Sequence, residues 1–247
     1  MMKNLSIVFM LLVSPALALA AGGHGIHLDQ ANIDPNNKES LQRGARLFVN
    51  YCLSCHSASL MRYERMGTDL DIDEKLVSEN LMFTGGKVGE LMTVATSAQD
   101  AKEWFGTVPP DLTVIARARG VDWLYTYLRS FYQDDSRHIG VNNLVFPDVG
   151  MPNVLWELQG TQEPVITTVK EADGTELKVV ELELVEPGLM SPREFDRAVR
   201  DLVNFLDYMG EPAKYERQHL GVKVVLFLLV FLVLAYLLKK EYWRDVH

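Results

Sequence analysis

The chain has 247 residues, of which 48% are hydrophobic and 23% charged, a composition typical of a folded protein that excludes a disordered one. Its formal net charge of −9 argues against nucleic acid as a partner, because phosphate backbones require lysine and arginine. With only two cysteines, the chain is not a small fold built on disulfides.

The N-terminal residues 1–20 are typical of a secretory signal peptide. Lys3 precedes an apolar run over residues 7–13, and Ala18-Leu19-Ala20 is a small-residue pattern that predicts cleavage after Ala20. The alternative is a membrane span, but the apolar run is too short and Ser14-Pro15 interrupts it. We therefore expect residues 21–219 to be exported as a periplasmic domain.

The C-terminal end has the pattern of a membrane anchor. Every residue from 224 to 238 is apolar, and the predicted transmembrane helix over residues 220–238 would span roughly 28 Å. A buried core helix is the alternative, but such a helix would show a polar face. Lys239, Lys240 and Arg244 follow, so the positive-inside rule predicts a cytoplasmic tail over residues 239–247. The chain would then cross the inner membrane once.

The exported part is strongly acidic. Residues 21–220 contain 19 basic and 31 acidic residues, a net charge of −12. Such a surface favours a basic partner, although acidic surfaces also simply keep proteins soluble, and charge alone leaves both interpretations open.

The pattern along the exported part predicts a mostly α-helical fold with loop insertions and one hairpin. Apolar residues and cysteines spaced by four and three predict a helix from Ser40 to about Ala58 with both cysteines facing the core. Asp111 and Asp122 each resemble the cap of a short helix, the first ending at Gly120.

Three features are predicted farther along. Residues 142–156 contain glycine and prolines, which are typical of a loop. In residues 163–185, apolar and polar residues alternate on both sides of Asp173-Gly174, which predicts a hairpin with its turn at that pair. Ser191, Pro192 and Glu194 predict a capping box that opens a helix, which Gly210 closes. Residues 211–219 would link this helix to the anchor.

The motif with the most specific chemistry is Cys52-Leu53-Ser54-Cys55-His56. This C-x-x-C-H pattern is the attachment site of a c-type haem, in which each thiol adds to one vinyl group and His56 binds the iron. The alternatives are a redox dithiol, half of a zinc site or a disulfide. Zinc would require further ligands at suitable spacing, and a redox dithiol does not require the histidine. One motif predicts one haem.

For the sixth iron ligand, the residues leave a methionine and several histidines open. Methionine paired with histidine raises the potential and suits electron transfer. Met151 lies between Gly150 and Pro152 in a loop, which suits a ligand, but a core methionine is an equal alternative. Bis-histidine ligation would use one of the other histidines, namely His24, His27, His138 or His219.

The ordered set of motifs resembles the cytochrome c1 family in its bacterial form, over essentially the whole mature chain. The set begins with the haem motif and continues with Pro109-Pro110-Asp111-Leu112, Ala116-Arg117-Ala118-Arg119, Gly150-Met151-Pro152, Met190-Ser191 and the C-terminal anchor after Gly210-Glu211-Pro212. The resemblance implies that Met151 is the sixth ligand, that Pro110 packs near the haem and that Arg119 faces a propionate. The stretch between His56 and Pro109 does not match closely.

The resemblance also implies a function. Such a chain would be the haem subunit of a quinol–cytochrome c oxidoreductase, beside cytochrome b and the Rieske iron–sulfur protein. It would take electrons from the Rieske protein, pass them to a c-type cytochrome and do no bond chemistry itself. A haem peroxidase or a haem-based gas sensor is the alternative, and either would have an open or exchangeable sixth position.

Overall fold

The computed structural model describes residues 27–83, 86–170 and 176–246, so the predicted signal peptide and the candidate ligand His24 lie outside the described residues. Helices prevail in this part, which confirms the predicted mostly helical fold. The helices are α1 (Lys38–Tyr51), α2 (Tyr63–Asp69), α3 (Glu74–Asn80), α4 (Ala98–Phe105), α5 (Ile115–Arg119), α6 (Val121–Arg129), α7 (Trp156–Gln159), α8 (Pro192–Gly210) and α9 (Lys214–Tyr242), with a final 3-10 turn at Arg244–Val246.

The strands within the described residues form three antiparallel pairs. These are β1 (Ala58–Arg62) with β2 (Leu91–Met92), β3 (Phe131–Gln133) with β4 (Val141–Asn143), and β5 (Gly160–Lys170) with β6 (Glu176–Pro187). The last pair confirms the predicted hairpin, whose turn at Asp173-Gly174 lies outside the described residues. The predicted loop over residues 142–156 begins within β4 and ends where α7 starts.

Helices α1 and α8 cross at a glycine in the centre of the core. A Cβ atom on Gly44 would lie only 2.1 Å from the carbonyl oxygen of Asp201 and 2.7 Å from Cβ of Phe205. One turn further along α1, the Phe48 ring packs on Phe205 with 5.6 Å between the ring centroids. At the other end of the contact, Ser40 Oγ donates a 2.6 Å hydrogen bond to Asp201. This crossing fixes the position of the C-terminal end of α1.

Helix α1 ends at Tyr51, whereas the spacing predicts a helix that continues to about Ala58. The amide of Leu53 bonds to the carbonyl of Phe48 at 3.0 Å, five residues back, and this wider turn stops the regular helix. The expectation that both cysteines face the core is therefore wrong: Cys52 is buried, whereas Cys55 is exposed.

The capping predictions have mixed outcomes. Ser191 and Glu194 form the predicted capping box of α8, and Gly120 ends α5 with a φ of +89°. Helix α5 begins only at Ile115, however, so Asp111 does not cap it. Asp122 does not cap α6 either, because its carboxylate accepts a 2.8 Å hydrogen bond from the distant amide of Ala31. Asp122 therefore binds a segment that is far away in the sequence.

The last long helix contains the predicted anchor. Within the described residues, one helix is both long enough and apolar enough to cross a membrane, and it covers Glu216–Tyr242. Its most apolar stretch is not buried against the protein. The predicted linker over residues 211–219 is mostly helical, since α9 begins at Lys214. Only residues 211–213 separate the anchor helix from α8.

Candidate haem-binding site

The Cys52–His56 motif forms a tight turn at the end of α1. The carbonyl of Cys52 accepts hydrogen bonds from the amides of Cys55, at 3.1 Å, and His56, at 2.8 Å. Burial raises the pKa of the Cys52 thiol to about 12, so the thiol is protonated at neutral pH. A buried, protonated thiol is unsuited to thiol–disulfide exchange, and the two cysteines are not joined in a disulfide. A redox dithiol at this position would therefore have to use the exposed Cys55 as its nucleophile.

The imidazole of His56 is held by a backbone carbonyl. Its Nδ1 lies 2.7 Å from the carbonyl oxygen of Pro110, which can only accept, so Nδ1 carries the proton and Nε2 keeps its lone pair. Burial lowers the pKa of His56 and outweighs the opposite effects of this hydrogen bond and of Asp111. The ring is therefore neutral at pH 7, which is the state that binds a metal ion.

The segment that contains Pro110 is itself pinned to the residues after His56. The amide of Leu112 donates to the carbonyl of Ser57 at 2.8 Å. Asp111 accepts 2.8 Å hydrogen bonds from the amides of Ser59 and Thr113, and its carboxylate also binds both hydroxyls at 2.6 Å. Desolvation alone would raise the pKa of Asp111, but these hydrogen bonds hold it below its usual value. Asp111 is a positioning residue that the sequence presents only as a helix cap.

Met151 lies in the loop after β4, partly buried against the core. The hydroxyl of Tyr127 donates a hydrogen bond to its Sδ at 3.3 Å. Beside it, a Cβ atom on Gly150 would meet only the methyl carbon of Thr107, at 3.9 Å. The segment from Thr107 to Pro110 therefore passes near the Met151 loop at one end and is hydrogen-bonded to His56 at the other.

Two asparagines that the sequence does not single out shape the Met151 loop. The Asn143 side chain is fully buried, and its Oδ1 accepts from the amides of Val145, at 2.9 Å, and Phe146, at 3.1 Å. Asn142 Oδ1 accepts from the amide of Asp148 at 2.9 Å. These bonds fix the backbone that precedes Met151, and the only sequence signal for them is a pair of asparagines at the end of a strand.

The two arginines of α5 have different surroundings. Arg117 lies 3.7 Å from the carboxylate of Glu211. The guanidinium of Arg119 lies over the rings of Trp123 and Phe146, at 5.1 and 5.8 Å from their centroids. Among the described ion pairs none involves Arg119, whose exposed charge is compatible with the propionate role that the resemblance implies.

Several other methionines and histidines have surroundings that differ from those of Met151. Among the methionines of the exported part, Met61, Met66, Met92 and Met209 are almost completely buried in the core. The alternative histidines His27, His138 and His219 are exposed. Among the described residues, no group of three or more histidine, cysteine or acidic side chains is arranged to hold a metal ion. The donors present, two thiols, a neutral imidazole and a thioether, fit a haem c.

Comparisons with known proteins agree with this donor set. The sequence model of the cytochrome C1 family matches residues 30–246. The chain is 53% identical to cytochrome c1 of Allochromatium vinosum, and the match covers 100% of both chains. It is 50% identical to a protein of Nitrosomonas europaea named ammonia monooxygenase gamma subunit, over 96% of both chains. It is 27% identical to the mitochondrial cytochrome c1 haem protein of Neurospora crassa, over 83% of this chain and 62% of that one.

The family match covers most of the chain and includes both the haem motif and the Met151 loop. The chain belongs to the cytochrome c1 family, whose members are the haem-bearing electron-transfer subunits of cytochrome bc1 complexes.

Proposed function

We propose that this chain carries one covalently attached haem c, bound by Cys52 and Cys55, with His56 and Met151 as the axial ligands. The observation that carries the proposal is the hydrogen bond from His56 Nδ1 to the carbonyl of Pro110, because it leaves Nε2 free to bind iron. Cys52, whose thiol is buried, and Cys55, whose thiol is exposed, lie in the same turn as His56.

The proposed role is electron transfer from the Rieske iron–sulfur protein to a c-type cytochrome, within a complex that also contains cytochrome b. The haem supplies a one-electron couple whose potential depends on its axial ligands. The residues of this chain bind, orient and shield it and take no part in bond making or breaking, so quinol oxidation belongs to the complex. The family membership supports this role.

Pro110 and Arg119 complete the proposed site. The Pro110 carbonyl fixes the orientation and tautomer of the proximal imidazole. The Arg119 guanidinium would clamp a haem propionate through two parallel hydrogen bonds, while the rings of Trp123 and Phe146 hold its plane.

We propose a single-pass topology in the inner membrane. Residues 1–20 are the signal peptide, residues 21–219 the periplasmic domain, residues 220–238 the anchor and residues 239–247 the cytoplasmic tail. The apolar helix and the basic residues after it support this orientation. The net charge of −12 on the periplasmic part favours a basic partner, which suits a cationic c-type cytochrome.

The proposed ligation is tested by the absorption spectrum of the purified complex. A low-spin haem with the weak far-red sulfur-to-iron band is expected for histidine–methionine ligation. A five-coordinate or ligand-exchanging haem would contradict it and favour the peroxidase or gas-sensor alternative.

The proposed topology is tested by truncation. A chain that ends at His219 should be exported and released as a soluble domain that retains its haem, since no proposed ligand lies beyond that residue. If the truncated chain were exported without haem, this would contradict the proposal that the periplasmic domain binds haem without the anchor.

A further inference from the structure

We propose that Tyr127 is a positioning residue for Met151, which orients its thioether and raises the haem potential through a hydrogen bond to Sδ. This inference rests on the proposed ligation by Met151, and it assigns a role to a hydroxyl group about 24 residues before the ligand in the chain.

The hydrogen bond is compatible with iron ligation. The Tyr127 oxygen lies 3.3 Å from Sδ of Met151, which is within reach for a bond to sulfur. A thioether sulfur has two lone pairs, so one can accept the hydroxyl proton while the other donates to iron. Rotation of the methionine about its terminal bonds is restricted when one lone pair is already engaged.

The Tyr127 ring is held rigidly enough to orient its hydroxyl. Trp123 stacks on it with 4.9 Å between centroids and an interplanar angle of 10°. Phe131 packs edge-on at 5.1 Å and 65°. The Trp123 ring is in turn covered by Arg119 at 5.1 Å. Tyr127 as a whole is 9% exposed, and the hydroxyl of such a residue usually has a hydrogen-bond partner, which here is Met151.

The backbone of Tyr127 is tied to the same loop. Asn143 Nδ2 donates to the Tyr127 carbonyl at 2.8 Å, while the Oδ1 atom of this asparagine binds amides of the Met151 loop. The Tyr127 carbonyl is therefore linked to the start of the loop through Asn143 at the end of β4, and the Tyr127 hydroxyl contacts Met151 within the loop. One residue of α6 is thus connected to the loop at two places.

The direction of the electronic effect follows from the chemistry of sulfur. A hydroxyl that donates to Sδ withdraws electron density, so Met151 donates less to the iron. A soft thioether favours the reduced state overall, but the electron density that it donates along its bond to iron stabilises ferric iron more than ferrous iron. A hydrogen bond that weakens this donation therefore raises the potential further. Removing the hydroxyl should lower the potential without removing the ligand.

The test compares Tyr127→Phe with Tyr125→Phe in the full complex. Both substitutions remove one hydroxyl from α6, but the Tyr125 ring faces Arg129 instead of Met151. We expect Tyr127→Phe to keep its covalent haem and far-red band, with the band shifted. Its reduction equilibrium constant should fall about threefold to tenfold, which for a one-electron couple is roughly 30 to 60 mV. Tyr125→Phe should leave both readouts unchanged.

A second variant tests the same hydrogen bond if the Tyr127→Phe protein does not fold. Site-specific 3-fluorotyrosine at position 127 keeps the ring and makes the hydroxyl a stronger donor, so the potential should rise. An unchanged potential and band position in the variant that folds would overturn the role of Tyr127 while leaving Met151 as ligand. Absence of the far-red band from the parent protein would overturn both.

Discussion

The two sides of the proposed haem site are built in different ways. On the proximal side, Cys52, Cys55 and His56 lie in one short turn, and backbone groups and Asp111 pin that turn to the Pro110 segment. On the distal side, Met151 lies in a loop that is positioned by side chains from elsewhere, chiefly Tyr127 and the two asparagines at the end of β4. The proposed proximal ligand and attachment residues are therefore contiguous in sequence, whereas the position of Met151 on the distal side depends on side chains that are distant in the chain.

The largest effect is expected from breaking the contiguous side. Replacing both Cys52 and Cys55 by serine should abolish covalent haem, because the thioether bonds have no other donors among the described residues. Haem staining after denaturing electrophoresis measures this loss. Ser54→Ala, which changes an exposed residue between the two cysteines, is the matched control and should stain normally. Retained staining in the double variant would contradict attachment at these residues.

A smaller effect is expected when the distal loop loses its buried anchor. Asn143→Ala should cost about 2 to 3 kcal/mol of stability, since it leaves the Tyr127 carbonyl and two loop amides without their partner. The far-red band should weaken while haem staining persists. Chemical denaturation followed by haem absorbance measures both effects.

The exposed residue Asn50 gives the control for that experiment. Its side chain bonds only to the carbonyl of Arg46 on the surface of α1, so Asn50→Ala should change stability by less than about 0.5 kcal/mol. An Asn143→Ala protein with the same stability and band as Asn50→Ala would show that the loop does not depend on Asn143.

The smallest effect concerns the pH dependence of the proximal side. The pKa of Asp111 in the folded state lies below its ordinary value, so its hydrogen bonds stabilise the protein above the unfolded pKa of 3.8. This contribution is lost as the pH falls through the folded pKa. Asp111→Asn should therefore lower stability near neutral pH by about 1 kcal/mol and flatten its decline below pH 4.

Denaturation curves at pH 7 and below pH 4 check this prediction. Asp135→Asn, at an exposed loop position, is the control and should follow the parent protein. A steeper acid decline in Asp111→Asn than in the parent would have the opposite sign and contradict the proposed linkage.

Short-range signals account for what the sequence predicts well. The capping box at Ser191 and Glu194 and the alternation of the hairpin each depend on residues close in the chain, and the structure contains both of them. Asp111 and Asp122 were misassigned as caps because capping is the usual local use of an aspartate, whereas both bind distant segments here.

Tertiary contacts account for what the sequence does not reveal. The helical spacing continues through Cys55, but the contact between Leu53 and Phe48 ends α1 earlier. The Tyr127 ring packs between Trp123 and Phe131, which are close to it in the chain, but the direction of its hydroxyl depends on where a loop 24 residues later returns. Local sequence patterns therefore do not predict which residues position Met151 on the distal side.

The most direct test of the proposed ligation is an equilibrium redox titration of Met151→Leu in the full complex. Leucine keeps size and apolarity, so the packing loss should stay below about 1.5 kcal/mol, and haem should remain attached at Cys52 and Cys55. Because a thioether favours the reduced state, we predict a steep fall in the potential, loss of the far-red band and near arrest of electron flow from quinol to cytochrome c. A potential equal to that of the parent protein would contradict ligation by Met151.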